Sequence, residues 1–486
     1  MTETHAQTIA SQFLMVVNKT PDAPALVFQD DLYTYKMLHD LSAAFALRLR
    51  EAGVSSRSIV QIEADDLAVA VAVMLATSCL GACLAERAIT AELSAEFPVT
   101  HAIVLTPEDG DIAQIIVDES FSPANYSASE KVGIWQDSAA DPDAPWIIVS
   151  TSGTTGLPKV VGLNQQLVCK RSHAIRGDFV AGGTRFASLF PYTTRPFFAR
   201  AIAAILNGAT IVDKGPWDFW MKTSVTMVSG SLSQVRSKLE ANPRSGRISK
   251  LEVIGAKLPE ADATRFLQSF ARIDDTYGAT ETNKSYSNYY TTGPDGKLLV
   301  SGVAHGSTIE IVDDNDTPVA LGDAGMLRVK TDCAAVEYLF SDSGETEILQ
   351  NGWFYPGDIG RWGVNGSLDI LRRTSEDIIT SAGGKIHAKL IDTVFQSFDG
   401  IKEAAAFVSP KKNSEDIIVF VVFEEDINTL QLTELAKLSC REKIGDDFVP
   451  AKVWPVNVVP RHEDGTPDRA QCAKSILSAI KAKPDN

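Results

Sequence analysis

The chain has 486 residues, of which 44% are hydrophobic and 22% are charged, and its formal net charge is −17. This length is typical of two or three globular domains with a substantial core. The negative charge argues against nucleic acid as the main partner, because binding to phosphate backbones requires a basic surface.

The cysteines and the N-terminus indicate the compartment. Six cysteines are scattered along the chain without a CxxC pair, at positions 79, 83, 169, 333, 440 and 472. This spacing disfavours a metal cluster and a disulfide framework, and it is typical of a reduced compartment. The first residues, "MTETHAQTIASQ", lack the basic stretch and apolar core of a secretory signal. We therefore expect a cytoplasmic protein.

From residue 24 to about residue 297, short apolar runs alternate with helical patterns. The run "ALVF" precedes a predicted amphipathic helix, "YKMLHDLSAAFALRLREAG", which stops at Gly53. Further strand candidates, many of them followed by helical patterns, are "SIVQIEA", "HAIVLT", "WIIVST", "RFASLF", "ATIVDK", "SVTMVSG" and "KLEVIGA". Such alternation predicts mostly parallel sheets that are covered by helices.

The stretch from Leu67 to Ala85 carries no charge and, at nineteen residues, is long enough to span a bilayer. Its Ala, Val, Thr, Ser and Gly content is only weakly hydrophobic, and Asp66 and Glu86 flank it. We therefore predict a buried helix over this stretch and no membrane span.

After about residue 297 the pattern changes to short strands and turns, as in "STIEIVDD", "GMLRVKT" and "GSLDILRR". The final part combines the strands "EAAAFVS", "IIVFVVFEE" and "KVWPVNVVPR" with a helix over 429–444 and a last helix from about 467. The predicted fold is therefore α/β, with a large N-terminal domain over 1–371 of layered parallel sheets plus a small β-barrel element. A small, mobile α+β C-terminal domain is predicted over 372–486.

The segment "IIVSTSGTTGLPK" predicts a strand that runs into a phosphate-binding loop. Glycines allow backbone N–H groups to approach an anion closely, and serine and threonine hydroxyls add donors. A lysine at the end of the loop supplies positive charge. The spacing GxxGxxK, followed by Val160, excludes a Walker A loop. The candidate phosphate-binding residues are Thr151, Ser152, Gly153, Thr154, Thr155, Gly156 and Lys159.

"STSGTTGLPK" resembles the phosphate loop of the adenylate-forming superfamily almost residue for residue. This superfamily includes acyl-CoA synthetases, aryl-CoA ligases, adenylation domains of peptide synthetases and luciferases. Other segments resemble further family motifs in the family's order: "TPDAPALVFQDDLYTYKMLHDLSAAFALRLREAGV", "LEVIGAKLP", "DDTYGATETN", "GWFYPGDIGRW" and "RRTSEDIITSAGGKIHAKLID". The resemblance therefore covers nearly the whole chain.

The resemblance implies that two of these motifs surround the adenine base of ATP. In "DDTYGATETN", Tyr277 stacks on the base, Asp275 lies near its amino group, and Glu281 binds Mg²⁺ through carboxylate oxygens. Lys159, Thr280 and Glu281 are the implied catalytic residues of this region. The remaining nucleotide-binding residues of the two motifs are Gly255, Ala256, Lys257, Thr276 and Gly278.

The resemblance also implies which residues bind the ribose and which residue lies at the hinge between the two domains. Asp358 in "YPGDIG" accepts hydrogen bonds from two ribose hydroxyls, and such charge-assisted bonds are the stronger kind. Arg373 bridges ribose or phosphate, and Ser375 occupies the hinge position. Gly384, in the glycine turn of the small domain, approaches the tunnel for pantetheine.

The implied reaction has two steps. A small-molecule carboxylic acid attacks the α-phosphate of ATP bound with Mg²⁺, which gives an acyl-adenylate and pyrophosphate, mainly through positioning and charge neutralisation. A thiol then attacks the mixed anhydride. The chain ends soon after its last predicted helix, so we expect CoA or a separate phosphopantetheinyl carrier protein to supply the thiol. The sequence indicates no particular oligomeric state.

The C-terminal motif departs from the family pattern. The family ends in a "PR…NGK" turn whose lysine stabilises the attacking carboxylate and the α-phosphate, whereas this chain reads "VVPRHEDGTPDRAQ", with Thr466 at the lysine position. "TPD" is typical of a helix start, which predicts Thr466 as the N-cap. Loss of a cation aimed at developing charge costs roughly 3 kcal/mol or more. Lys474 and Lys452 are the alternative cations.

The sequence is therefore compatible with three functions. The first is a complete acid–thiol ligase, the second is an adenylation-deficient protein that binds nucleotide or acyl-adenylate, and the third is an enzyme of thiol transfer alone. The segment "SLFPYTTRPFF" places Thr193 where an aromatic residue or His is common and shows no aspartate for an α-ammonium group. A plain carboxylic acid is therefore favoured over an amino acid.

Overall fold

A computed structural model describes residues 8–28, 31–85, 97–107, 112–152, 158–241, 246–335, 337–341, 347–373, 377–379, 385–409, 416–425, 427–461 and 466–481. Its helices are α1 (Ile9–Lys19), α2 (Tyr35–Glu51), α3 (Leu67–Leu80), α4 (Ala128–Gln136), α5 (Gln165–Ala174), α6 (Arg195–Leu206), α7 (Trp217–Lys222), α8 (Leu232–Ala241), α9 (Glu260–Phe266), α10 (Ala388–Gln396), α11 (Thr429–Lys443) and α12 (Arg469–Lys481). Short 3₁₀ turns lie at Glu119–Phe121, Pro123–Asn125 and Asp446–Phe448.

The strands before residue 305 are β1 (Pro24–Phe28), β2 (Asp31–Thr34), β3 (Ile59–Ile62), β4 (Cys83–Ala85), β5 (His101–Val104), β6 (Ala113–Ile116), β7 (Pro145–Ser152), β8 (Pro158–Asn164), β9 (Arg185–Ser188), β10 (Thr210–Val212), β11 (Met227–Gly230), β12 (Ile248–Ile254), β13 (Phe270–Ala279), β14 (Asn283–Thr292) and β15 (Leu298–Ala304). The later strands are β16 (Ser307–Val312), β17 (Gly325–Thr331), β18 (Tyr338–Ser341), β19 (Asp358–Trp362), β20 (Leu368–Arg373), β21 (Asp377–Ile379), β22 (Lys385–His387), β23 (Ile401–Val408), β24 (Ile417–Phe423) and β25 (Lys452–Pro455).

Two large sheets are formed by the described strands before residue 342. The nine-stranded sheet has the order β15-β14-β13-β12-β11-β9-β10-β1-β2, and its strands from β13 to β1 pair in parallel. The seven-stranded sheet has the order β18-β8-β7-β4-β3-β5-β6, and its strands from β7 to β6 pair in parallel. The predicted parallel α/β architecture is confirmed.

The core lies in layers around these sheets. One hydrophobic cluster contains residues of both sheets, such as Ile211 on β10 and Ile147 on β7, together with residues of α1, α2, α3, α5 and α6. A second cluster covers the other face of the nine-stranded sheet with Trp217, Trp220 and Phe266 from α7 and α9. Helices therefore lie between the sheets as well as outside them.

The uncharged stretch from residue 67 to residue 85 folds into two elements. The Asp66 carboxylate caps α3 by accepting a hydrogen bond from the Val69 N–H at 2.9 Å. The helix is buried on nearly every side, which explains its apolar composition, and it ends at Gly81 before β4 begins. The prediction of a buried helix is confirmed, although the helix stops five residues before Ala85. Among the helices that the structure describes, none has the length and apolarity that crossing a membrane requires.

Apart from β18, which joins the seven-stranded sheet, the described strands after residue 304 form smaller sheets, as expected. Strands β16, β17, β19 and β20 form a four-stranded antiparallel sheet. Beyond it, β23, β24 and β25 pack with α10, α11 and α12 into two hydrophobic clusters whose members all lie between residues 378 and 476. This is the predicted α+β unit.

The start of the last helix differs from the prediction. α12 begins at Arg469, and the Asp468 carboxylate accepts a hydrogen bond from the Gln471 N–H at 2.8 Å. Asp468 is therefore the N-cap, and the prediction of Thr466 in that role is wrong. The reason is tertiary: a β-bridge between Arg461 and Pro467 holds the backbone next to Thr466 in an extended pairing, so the helix starts later.

Candidate functional site

The candidate phosphate loop connects two paired strands. β7 and β8 are antiparallel, and Thr151 lies opposite Lys159. Lys159 is only 8% exposed, and its ammonium lies 4.6 Å from the centre of the Tyr338 ring on the neighbouring strand β18. For Thr151 and Ser152 the structure describes the backbone alone, and four predicted residues lie outside the described ranges: Gly153, Thr154, Thr155 and Gly156.

Glu281 lies beside the same tyrosine. The Tyr338 hydroxyl donates a hydrogen bond to Oε1 of Glu281 at 3.1 Å, and the Glu281 carbonyl accepts one from the Ala335 N–H at 2.7 Å. Two of the predicted catalytic residues, Lys159 and Glu281, therefore contact the same tyrosine side chain. Sequence analysis did not identify Tyr338.

Helix α5 contributes a buried arginine that the sequence analysis also missed. Arg171 is 6% exposed and donates hydrogen bonds to the carbonyls of Thr280 (3.0 Å), Glu281 (2.8 Å) and Cys333 (2.9 Å). Burial, with a smaller contribution from nearby Arg195, lowers the pKa of Arg171 to about 9. Its burial could have been predicted from the sequence. Arg171 follows Leu167 by four residues and Val168 by three, so it lies on the same buried face of the helix.

The predicted base and ribose residues meet on the other side of the site. The Tyr277 hydroxyl donates a hydrogen bond to Oδ2 of Asp358 at 2.6 Å, and Nε of Arg373 forms an ion pair with Oδ1 at 2.8 Å. Asp358 is 1% exposed and lies opposite Arg373 in the pairing of β19 with β20. Burial and the Asp358 carboxylate raise the pKa of Tyr277. Both oxygens of the proposed ribose ligand are thus oriented by predicted site residues.

Two glycines shape the strands that carry these residues. A side chain at Gly278 would overlap the carbonyl oxygen of Asn283, where β13 bulges against β14. Gly255 follows β12 with a φ of 96°, a conformation that favours glycine. After Ala256, the Lys257 ammonium forms an ion pair with Asp369 and donates to the Ile370 carbonyl at 3.3 Å. Lys257 is thus directed toward β20.

Asp275, predicted to lie near the adenine amino group, is buried at the end of the strand pair β12 and β13. Its Oδ2 accepts a hydrogen bond from the Leu258 N–H at 3.3 Å. Burial nevertheless raises the pKa of Asp275 to about 7. The carboxyl group is therefore partly protonated near neutral pH.

Replacing Asp275 by asparagine is expected to stabilise the fold in a pH-dependent manner. The pKa is raised in the folded state from 3.8, so ionisation destabilises the native protein increasingly between about pH 4 and pH 7 and by a constant amount above pH 7. The shift sets an upper limit of roughly 4 kcal/mol on the gain in free energy of unfolding at pH 8. Urea unfolding at pH 4.5 and pH 8 measures this difference, and Asp295→Asn on the surface is the control. An equal effect at both pH values would contradict the assignment.

Thr276 faces the opposite side of the sheet from Asp275 and Tyr277, as successive strand residues do. Its hydroxyl donates to Oε1 of Glu252 at 3.3 Å and lies 3.1 Å from Oγ of Ser287. Glu252 belongs to a group of charged side chains that we term the buried ion cluster: Asp178, Arg200, Lys250, Glu252 and Lys284. Thr276 therefore contacts this cluster, which the sequence did not indicate.

The remaining predicted residues belong to the C-terminal part of the chain. Thr466 is exposed and lies three residues before Arg469, whose guanidinium contacts Asp392 at 2.6 Å and the Ala406 carbonyl at 2.7 Å. Of the two alternative lysines, Lys452 lies 4.0 Å from the centre of the Trp454 ring. Ser375 and Gly384 lie outside the described residues.

The site is suited to a magnesium ion that binds together with a nucleotide rather than to a metal ion held by protein side chains alone. Within the described ranges, no group of three or more His, Cys, Asp or Glu side chains could hold a metal ion. Mg²⁺ is commonly bound by one or two carboxylates, with substrate phosphates and waters as the other ligands. Glu281, next to the phosphate loop, supplies a carboxylate of this kind.

Comparison with known proteins identifies relatives over nearly the whole chain. The family model described as AMP-binding enzyme matches residues 13–339. The chain is 24% identical over 473 residues to 2-succinylbenzoate–CoA ligase of Bacillus subtilis (strain 168), which covers 91% of this chain and 93% of that protein. It is 25% identical over 522 residues to surfactin synthase subunit 1 of the same strain, which covers 97% of this chain but only 14% of that much longer protein.

Solved structures show the same fold. The o-succinylbenzoate CoA synthetase of Bacillus subtilis, in complex with the acyl-adenylate intermediate OSB-AMP, superposes with a TM-score of 0.72 at 20% sequence identity. The alignment covers 96% of this chain and 98% of that one. The family model alone spans more than half of the 486 residues, and the quoted motifs occur in the family's order. The chain therefore belongs to the AMP-binding enzyme family, within the adenylate-forming superfamily.

Proposed function

We propose that the protein is an ATP-dependent carboxylic acid ligase, which activates an acid as an acyl-adenylate and passes it to the thiol of CoA or of a carrier protein. One observation carries this proposal: Lys159 and Glu281 both contact Tyr338 beside the phosphate loop, while Tyr277 and Arg373 orient Asp358. The similarity to 2-succinylbenzoate–CoA ligase over nearly the full length of both proteins supports acid–CoA ligation.

The geometry supports a division of roles among these residues. The loop at 151–159 binds the phosphates, and Lys159 adds positive charge beside them. Asp358 accepts hydrogen bonds from the ribose hydroxyls, and the ion pair with Arg373 orients its carboxylate. Mg²⁺ bound at Glu281 and the phosphates would supply charge neutralisation. The unit at 1–371 thus binds ATP and acid, and the unit at 372–486 carries Thr466.

A coupled assay of pyrophosphate release tests the proposal. The protein is incubated with ATP, Mg²⁺ and a panel of aliphatic, aromatic and dicarboxylic acids, with and without CoA. We expect acid-dependent pyrophosphate release that Asp358→Asn reduces by at least about tenfold, because an asparagine gives weaker hydrogen bonds to the ribose. Absence of release with every acid, in a protein that binds ATP, would contradict a complete ligase.

The second candidate is a protein that binds nucleotide or acyl-adenylate without forming it. The specific observation in its favour is Thr466, an exposed side chain at the position of the family's lysine. Calorimetry separates the two functions, because this candidate binds ATP without catalysing pyrophosphate exchange. A synthetic acyl-adenylate given together with CoA then tests for thiol transfer alone.

A further inference from the structure

Tyr338 is the one side chain that contacts both the loop lysine and the metal-binding glutamate among the contacts described for the site. The Lys159 ammonium lies over its ring at 4.6 Å from the centre, and its hydroxyl lies 3.1 Å from Oε1 of Glu281. The ring attracts a cation through its negative face, and the O–H group donates a charge-assisted hydrogen bond. A phenol is the side chain that meets both demands.

The backbone holds this tyrosine in place. β18 pairs with β8, so Tyr338 lies opposite Val161 and Ser341 lies opposite Lys159, with an irregular register between Tyr338 and Phe340. Tyr338 is 7% exposed and belongs to the hydrophobic cluster between the two large sheets. Its hydroxyl therefore has little freedom to leave the glutamate.

The turn that carries Glu281 is fixed on its backbone as well. Arg171 donates to the carbonyls of Thr280 and Glu281, and the Ala335 N–H donates to the Glu281 carbonyl. These three bonds fix the main chain, whereas they leave the torsions of the Glu281 side chain undetermined. The bond from Tyr338 supplies the missing constraint on the carboxylate.

We propose that Tyr338 is a positioning residue for Glu281: its hydroxyl holds Oε1 and thereby orients the carboxylate that would bind the Mg²⁺ accompanying ATP. This inference rests on the proposed function, because it requires that the site binds ATP with Mg²⁺. Replacing a residue that holds a metal ligand in this way commonly lowers metal affinity by about 10–100-fold.

Tyr338→Phe tests the inference, since it removes the hydroxyl and keeps the ring beneath Lys159. ATP binding is measured by calorimetry over a series of Mg²⁺ concentrations, and AMP binding is measured without Mg²⁺. We expect the Mg²⁺ concentration for half-maximal ATP binding to rise by about tenfold or more, with AMP affinity unchanged. In the Glu281→Gln background the same replacement should have no further effect on the Mg²⁺ requirement, because the group that it orients is absent.

A matched control is Tyr355→Phe, which removes another tyrosine hydroxyl that donates to a carboxylate, here Asp316 at 2.9 Å on the surface. It should leave the Mg²⁺ requirement unchanged. If Glu281→Gln raises the requirement and Tyr338→Phe does not, the positioning role is wrong and the proposed function stands. If Tyr338→Phe weakens ATP and AMP binding equally, its role is structural and the inference fails. If the wild-type protein binds neither nucleotide, the proposed function itself is wrong.

Discussion

Replacing Lys284 by methionine is expected to lower the free energy of unfolding by about 3–5 kcal/mol, because it removes a counter-charge that two buried carboxylates share. The Lys284 side chain is fully buried, and its ammonium lies 2.8 Å from Oδ2 of Asp178 and 2.9 Å from Oε1 of Glu252. These two carboxylates raise the pKa of Lys284 despite its burial, so the side chain is charged in the native protein.

The remaining cations of the buried ion cluster replace the lost charge of Lys284 only in part. Arg200 contacts Glu252 at 2.8 Å, and it remains in the variant. Lys250 pairs with Asp178 and also with Asp274 at 2.9 Å, so its charge is already shared. Burial alone would raise the pKa of Glu252, whereas Arg200 and Lys284 hold it well below its ordinary value. Removal of Lys284 therefore takes away one of the two cations that contact Glu252 and one of the two that contact Asp178.

Urea unfolding followed by tryptophan fluorescence measures the change. Lys297→Met is the matched control, because Lys297 pairs with Asp295 at the surface and its side chain is 80% exposed. The control should change the free energy of unfolding by less than about 0.5 kcal/mol. A double variant with Glu252→Gln should lose less than the sum of the single losses, since the two groups interact directly. A loss below about 1 kcal/mol for Lys284→Met would show that protonation or water replaces the lysine.

Replacing Thr466 by lysine is expected to raise the rate of acid-dependent pyrophosphate exchange by about a hundredfold or more, if the adenylation step lacks the family's C-terminal cation. The residues that directly follow position 466 are anchored by hydrogen bonds and an ion pair. Arg469 is anchored on Asp392 and Ala406, and the Asp468 N–H donates to the Pro460 carbonyl at 2.8 Å. The change thus adds a charge at an exposed position next to these anchored residues.

Exchange of labelled pyrophosphate into ATP measures this gain. Thr466→Gln serves as the control for side-chain length, because it lacks the charge and should give no comparable increase. Lys452→Met and Lys474→Met then test the two alternative lysines in the wild-type background. An unchanged rate for Thr466→Lys, with a loss for either methionine variant, would assign the stabilising cation to that other lysine.

Much of the fold follows from local sequence patterns. The helix predicted over 429–444 is α11, which ends at Lys443, and the alternation before residue 297 corresponds to the two parallel sheets. Apolar periodicity and the placement of glycine act within a few residues, so they can be recognised without knowledge of distant contacts. Thr466 is the exception, because a bridge between Arg461 and Pro467 overrides a local helix-start pattern.

By itself, then, the sequence determined the order of most elements and the family motifs, and it predicted the residues that bind a nucleotide. Only the tertiary structure decided how Arg171, Tyr338 and Lys284 are used, since their partners lie 110, 57 and 32 positions away along the chain. A buried charge or hydroxyl requires a partner because its desolvation is costly. Which partner it obtains depends on the strand register and helix packing that the whole chain forms together.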